Sequence, residues 1–93
     1  MSYRVRLDPA ARKALGGLPI KVRQQILDHL VALADDPRPP QSEPLHGKLK
    51  GLRKLRVRRY RIAYQVNDDE QTVTVWEIGH RSKAYQDLER RLI

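Results

Sequence analysis

The segment at residues 54–66, KLRVRRYRIAYQV, constrains the fold most, because it alternates apolar residues with basic ones. It holds five basic residues and no acidic residue. Alternation with a period of two is typical of a β-strand that buries one face. A two-residue turn at Arg58 and Arg59 folds the segment into a β-hairpin in which Arg56 lies opposite Arg61. The sequence therefore predicts a hairpin that brings like charges together.

Strand geometry sorts the side chains of this hairpin onto two faces, since successive residues point to opposite sides. The predicted apolar face carries Leu55, Val57, Tyr60, Ile62, Tyr64 and Val66. The predicted polar face carries Lys54, Arg56, Arg61 and Gln65. The Arg-Arg turn lacks the Asn or Gly that tight hairpin turns favour. A bulge or a longer loop, which would change the register, is therefore an alternative.

The two facing arginines destabilise the folded hairpin, because like charges directly opposite each other on paired strands lower stability by roughly 0.2–1 kcal/mol. Between Leu45 and Val66 there are eight basic residues and no acidic one, and the chain as a whole has a net charge of +8. Clustered charge of one sign predicts a polyanionic partner, either nucleic acid or an acidic protein. The alternative is a solvated basic face that has no partner.

Length and composition exclude several other classes of protein. A chain of 93 residues predicts a single domain, residues 1–93. The absence of cysteine excludes disulfides and thiolate metal sites, and three scattered histidines predict no metal site. No apolar run reaches the roughly 20 residues that span a bilayer, and the N-terminus lacks the apolar stretch of a signal peptide. We therefore expect a cytoplasmic protein without a membrane partner.

The order of elements predicts helices followed by strands. A strand at residues 3–7 precedes a helix that is capped by Asp8 and ends at Gly16 and Gly17. A second helix, from Pro19 to Pro37, has apolar residues at helical spacing, namely Ile20, Val22, Ile26, Leu27, Leu30, Val31 and Ala34. A loop at 37–51, three strands near 51–58, 59–67 and 71–79, and a C-terminal helix capped by Ser82 complete the chain. The short connection between the first two helices predicts a helical hairpin packed on a sheet.

Two stretches, EPLHGKLKGLRKLRVRRYRIAYQV and DDEQTVTVWEIGHRSKAY, resemble the RelE/ParE toxin superfamily of bacterial type II toxin–antitoxin systems. The resemblance extends over nearly the whole chain. It implies an α+β fold, in which a two-helix N-terminal hairpin packs on a small, mostly antiparallel twisted sheet of about four strands, followed by a C-terminal helix. The RelE branch, which we favour, implies a ribosome-dependent mRNA endoribonuclease that works without a metal or cofactor. The alternatives are a ParE-like inhibitor of DNA gyrase and a catalytically silent member that only binds its antitoxin.

The resemblance to RelE also implies roles for individual residues. Arg61 matches an arginine that braces the scissile phosphate, and Lys54 matches a residue for proton transfer or charge stabilisation. Arg81 matches the arginine assigned to the leaving group, and Tyr85 matches a tyrosine that stacks on or orients a base. The remaining cations of the basic half are predicted to bind RNA, namely Lys48, Lys50, Arg53, Arg56, Arg58 and Arg59.

The YoeB-like branch implies a second assignment, with Glu43 of SEPLHG as base and His80 of GHR as acid. Cations beside Glu43 favour its ionised form and make it a weaker base, whereas histidine titrates near neutrality. The sequence leaves open whether a lysine or a glutamate is the base. Tyr60 is predicted to lie in the core, and Trp76 is left open between core and base stacking.

The family resemblance further implies partners. The toxin is expected to act on the ribosome and mRNA, and to form a hetero-oligomer with a cognate acidic, RelB-like antitoxin. We expect the antitoxin to cover the basic sheet or to displace the C-terminal helix.

Overall fold

The computed structural model describes residues 2–80 and 83–92, which form three α-helices, one short 3-10 helix and one five-stranded sheet. The helices are α1 (Pro9–Gly16), α2 (Ile20–Leu33) and α3 (Lys83–Leu92), and the 3-10 helix is Gly47–Leu49. The strands are β1 (Arg4–Leu7), β2 (Glu43–Pro44), β3 (Arg53–Val57), β4 (Tyr60–Asn67) and β5 (Thr72–His80). The strand order is β1-β5-β4-β3-β2, and all pairs are antiparallel except β1 with β5. The predicted α+β fold is confirmed, and the two-residue β2 brings the strands to five.

The helical hairpin begins and ends close to the predicted residues. The Asp8 carboxylate accepts a hydrogen bond of 3.0 Å from the backbone N–H of Ala10, and the helix ends at Gly16. Helix α2 starts directly after Pro19 and ends at Leu33, which is earlier than the predicted stop at Pro37. In the described ranges no helix is both long and apolar enough to cross a membrane.

The α1–α2 hairpin covers one face of the sheet and forms the larger core. Val22, Ile26, Leu30 and Leu33 of α2 face the strands. Ile20, Leu27 and Val31 belong to the same predicted pattern, yet 65%, 39% and 69% of their surfaces are exposed. At 3.6 residues per turn these three residues lie about a third of a turn away from the buried ones. One side of α2 therefore packs on the sheet, and a second apolar stripe faces solvent.

Helix α3 packs on the opposite face of the sheet, so both faces are partly covered. A smaller core lies there, formed by Leu49, Leu52, Ala63 and Leu88 with the partly buried Leu45, Trp76 and Tyr85. Trp76, which the sequence left open, thus packs beside this core, and its indole N–H donates to the Gln65 side-chain oxygen at 3.3 Å. Tyr60 packs against the larger core, as predicted.

A β-bulge in β5 sets which residues share a face with the basic hairpin. Ala63 pairs with Glu77 and Tyr64 pairs with Val75, so Trp76 is the extra residue. An extra residue reverses the alternation of side chains along a strand. As a result Val75 and Ile78 both face the α1–α2 side, and Gly79 lies opposite Arg61 on the α3 side.

Candidate active site

The β3–β4 hairpin has the register that the sequence predicts. Arg56 pairs with Arg61, and Val57 pairs with Tyr60 across the two-residue turn. The turn is made without Asn or Gly because Arg58 adopts the left-handed conformation, with φ of +56°. That conformation costs a non-glycine residue roughly 1–2 kcal/mol. The Arg56 side chain stabilises it in part, since its Nε donates to the Arg58 carbonyl at 3.1 Å.

The polar face of this hairpin forms one wall of a cleft of about 300 Å³, which we call the active cleft. Three parts of the chain line it: the segment that leads into β2, the β3–β4 hairpin, and the first turns of α3. The lining residues are Gln41, Glu43, Lys54, Arg56, Arg61 and Tyr85. Four of the six residues predicted to be catalytic therefore meet in one place.

Lys54 and Glu43 form an ion pair across the β2–β3 ladder. The Lys54 Nζ atom lies 3.4 Å from Glu43 Oε2, and the two side chains are 42% and 68% exposed. Exposed ion pairs contribute at most about 1 kcal/mol. An incoming phosphate can therefore replace the carboxylate beside Lys54 at small cost.

Two polar atoms in the active cleft are buried and unpaired. Arg61 Nη1 and Tyr85 Oη have no hydrogen-bond partner within residues 2–80 and 83–92. A buried polar group without a partner costs about 1–3 kcal/mol. Both groups can donate, so an acceptor such as a phosphate oxygen that reached either of them would relieve part of this cost.

Tyr85 is held as a neutral phenol. Burial raises the pKa of the Tyr85 hydroxyl, the Glu43 carboxylate adds to the rise, and the Arg61 guanidinium offsets part of it. The hydroxyl therefore keeps its proton at neutral pH and acts as a hydrogen-bond donor, which does not suit a general base.

Close contact between α3 and β5 fixes the position of Tyr85. A Cβ atom added to Gly79 would lie 2.7 Å from the Cβ of Ala84, which is the residue before Tyr85. Real Cβ atoms essentially never approach so closely. Only glycine at position 79 lets the start of α3 lie this close to β5.

Arg91 anchors the other end of α3. Its guanidinium lies 2.9 Å from the Asp8 carboxylate and 3.9 Å from that of Glu77, and it donates to the backbone carbonyl of Trp76. Burial raises the pKa of Glu77, and the charge of Arg91 offsets part of this effect. Helix α3 is therefore tied both to the N-cap of α1 and to β5.

Arg53 and His80 do not enter the active cleft. Arg53 lies on the α1–α2 side of β3, where its guanidinium donates to Ser42 Oγ at 2.9 Å. This bond holds the residue between Gln41 and Glu43, so Arg53 supports the cleft wall from behind. His80 pairs with Tyr60, and their rings meet edge to face with centroids 5.4 Å apart.

The other predicted RNA-binding residues lie on exposed segments outside the lining of the cleft. Lys48 is in the 3-10 helix and Lys50 follows it, while Arg58 and Arg59 form the tip of the hairpin. Arg81, predicted to act on the leaving group, lies outside the described residues, as does Ser82.

Gln41 is the cleft residue that the sequence did not indicate. It lies in a proline-rich loop with no periodic pattern, and the two-residue β2 that fixes this loop beside β3 is too short to give a strand signal. The described part of the chain brings together no group of three His, Asp or Glu residues that could hold a metal ion.

Comparison with known proteins identifies the family of this chain. Residues 5–85 match the family model for the ParE toxin of the type II toxin–antitoxin system parDE. The mRNA interferase toxin RelE of Escherichia coli is 32% identical over 100 residues, covering all of both chains. Toxin RelG of Mycobacterium tuberculosis is 31% identical over 88 residues, covering 92% of this chain and 99% of RelG.

A solved structure has the same fold. In the toxin–antitoxin complex RelBE2 from Mycobacterium tuberculosis, one chain superposes with a TM-score of 0.79 at 28% identity, covering 87% of this chain and 100% of that one. Together the family match, the relatives and the shared fold show that this chain belongs to the RelE/ParE superfamily, the toxins of type II toxin–antitoxin systems.

Proposed function

We propose that this chain is a ribosome-dependent mRNA endoribonuclease. The observation that carries the proposal is the active cleft, where Lys54, Arg56 and Arg61 converge. Two donor atoms there, Arg61 Nη1 and Tyr85 Oη, have no partner within the described residues. Cleavage of RNA gathers negative charge on the phosphate oxygens, and fixed donors aimed at that charge stabilise the transition state. The name of the Escherichia coli relative, an mRNA interferase, supports the same activity.

The reaction that fits the cleft is attack by the 2′-hydroxyl of one nucleotide on its own 3′-phosphate. A bond forms between the 2′-oxygen and phosphorus, and the bond to the 5′-oxygen of the next nucleotide breaks. The 2′-hydroxyl loses a proton and the departing 5′-oxygen gains one. The products are a 2′,3′-cyclic phosphate and a 5′-hydroxyl, and the step needs no metal or cofactor.

We assign phosphate bracing to Arg61 and charge stabilisation to Lys54, whose ammonium is free to donate once a phosphate replaces Glu43. Glu43 is the one carboxylate that lines the cleft in the described ranges, so it is our candidate for the proton acceptor. Tyr85 orients the substrate as a donor. The leaving-group role of Arg81 stays a proposal from the family resemblance, and the placement of His80 on the other face gives it no support as the acid.

A translation extract programmed with a reporter mRNA tests this function, with cleavage sites mapped by primer extension. We expect Arg61→Ala to slow cleavage by about 10²–10³-fold, since removing one donor to transition-state charge has that effect. Arg12→Ala, an exposed arginine on α1, is the matched control and should cleave normally. An mRNA with a single 2′-deoxynucleotide at the cleavage site should resist the toxin, and cleavage of that substrate would refute attack by the 2′-hydroxyl.

Gyrase inhibition is the second candidate, because the matching family model describes ParE toxins. Intact mRNA together with blocked DNA supercoiling would favour it over the nuclease. Absence of both effects, with normal growth on induction, would indicate a catalytically silent member.

We also propose a cognate antitoxin that forms a hetero-oligomer with this chain, as the RelBE2 complex of the related toxin suggests. The lining of the active cleft has three cations and one carboxylate, and this excess of positive charge fits an acidic segment that covers the basic sheet or displaces α3. Co-expression with the product of the adjacent gene, followed by pull-down, tests the pairing. Failure of the two proteins to co-purify would count against it.

A further inference from the structure

A second cavity of about 350 Å³ lies beside the active cleft, between α2 and the tip of the β3–β4 hairpin. We call it the α2 pocket. Its lining residues are Gln25, Asp28, His29, Arg56, Val57 and Arg58. Arg56 lines both the α2 pocket and the active cleft, so the two cavities adjoin each other.

The two walls of the α2 pocket differ in chemistry. The strand wall carries the cations Arg56 and Arg58, and the Arg56 guanidinium is oriented by its bond from Nε to the Arg58 carbonyl. The helix wall carries Gln25, Asp28 and His29, of which Gln25 and Asp28 present acceptor oxygens. Gln25 Oε1 is buried and has no hydrogen-bond partner within the described residues. A ligand that fits must therefore combine an anionic group with hydrogen-bond donors.

A nucleotide of single-stranded RNA has this combination. Its phosphate would face the arginines, and the N–H groups on the edge of its base would face Gln25 and Asp28, since carboxylates and amides are the side chains that read such edges. Resting on the proposed nuclease function, we propose that the α2 pocket binds the nucleotide next to the scissile phosphate and contributes to sequence preference. Arg56 then contacts the backbone between the two nucleotides.

An acidic peptide fits the α2 pocket less well. The Asp28 carboxylate lies on the helix wall and would repel any peptide carboxylate that faced this wall. The Asp28 carboxylate can instead accept hydrogen bonds from a base that offers amino or imino hydrogens. The pairing of cations on one wall with acceptors on the other therefore favours RNA over an antitoxin segment.

The test compares Gln25→Ala and Asp28→Ala with Gln24→Ala, a matched control at the adjacent exposed position of α2. Ribosomes carrying an mRNA library with randomised codons in the A site are treated with each toxin, and the rate at every codon is read by sequencing of the 5′-hydroxyl ends. We expect the wild type and Gln24→Ala to share one base preference. In Gln25→Ala and Asp28→Ala the preference at a single position should weaken by about tenfold, because one well-paired side chain contributes about that much discrimination. Total cleavage at the least favoured codons should change little.

The outcomes distinguish failure of the subsite from failure of the nuclease function. Cleavage by Gln25→Ala and Asp28→Ala with the wild-type codon profile would overturn the subsite and leave the nuclease intact. A wild type that cleaves without base preference would overturn it as well. A wild type that does not cleave refutes the nuclease function, and the subsite is refuted with it. If both variants instead lose affinity for the antitoxin, measured by calorimetry, while keeping their codon profile, the pocket belongs to a protein partner and the proposal is wrong. Thermal unfolding of all three variants shows that the comparison is between folded proteins.

Discussion

Substitution of Gly79 by alanine tests whether the active cleft depends on the position of α3. Gly79 lies opposite Arg61, and the added Cβ would be 2.7 Å from the Cβ of Ala84. Optimal separation between carbon atoms is about 3.5–4.0 Å, so the start of α3 must move by roughly 1 Å. Tyr85 is the next residue and must move with it.

We expect Gly79→Ala to impair catalysis while the protein stays folded. Overpacking of this kind costs about 1–3 kcal/mol, which leaves most proteins of this size folded. A misplacement of about 1 Å near reacting groups can slow a reaction by about 10²-fold. We therefore expect Gly79→Ala to unfold at a lower temperature, to remain folded at 25 °C, and to cleave mRNA about 10²-fold more slowly than the wild type.

The assay combines mRNA cleavage with fluorescence of the single tryptophan, Trp76, which packs beside α3. Movement of α3 should expose the indole and shift its emission to longer wavelength. Gly16→Ala is the matched control, because a Cβ at Gly16 meets no atom within 4 Å. Wild-type cleavage and emission in Gly79→Ala, or an equal loss in Gly16→Ala, would refute the link between α3 and the cleft.

Two further predictions concern stability. Leu30→Ala should lower the free energy of unfolding by about 2–5 kcal/mol, because Leu30 is 3% exposed. Val31 is 69% exposed, so Val31→Ala should change the free energy of unfolding by less than about 0.5 kcal/mol. Urea unfolding measures both variants, and equal losses would contradict the packing of α2. Glu77→Gln should raise stability at pH 7, since burial raises the pKa of Glu77 above 4.5 and the ionised form therefore opposes folding. That gain should vanish as the pH falls below 4.5, where wild-type Glu77 is protonated in both states, and a less stable variant at pH 7 would show that the pair with Arg91 outweighs burial.

The hairpin at residues 54–66 could be predicted from the sequence, because alternation with a period of two places successive side chains on opposite faces of a strand in any surroundings. The apolar face follows from that rule, and the pairing of Arg56 with Arg61 follows once a two-residue turn is placed at Arg58 and Arg59. The turn was the uncertain step, and the left-handed conformation of Arg58 resolves it. Local geometry therefore accounts for the basic wall of the cleft.

The rest of the cleft depends on contacts between distant parts of the chain. No sequence pattern predicts the bulge at Trp76, yet this bulge places Gly79 on the face of β5 that packs against α3. Gln41 lies at the cleft because β2 pairs with β3 and Arg53 holds Ser42, and no local pattern predicts either contact. On α2, helical spacing alone could not separate the buried Leu30 from the exposed Val31. Which of the two apolar stripes is buried depends on how α2 packs against the sheet.

The parallel pairing of β1 with β5 has a consequence for the order of folding. Arg4 and its partner Thr72 are 68 residues apart in the chain. Closing so long a loop carries an entropic cost, and contacts between residues far apart in sequence slow folding. The β3–β4 hairpin needs only a two-residue turn, so we expect it to form early and β1 to join the sheet last. High contact order at this edge, rather than any weakness of the core, would then set the time that a newly made chain needs to become active.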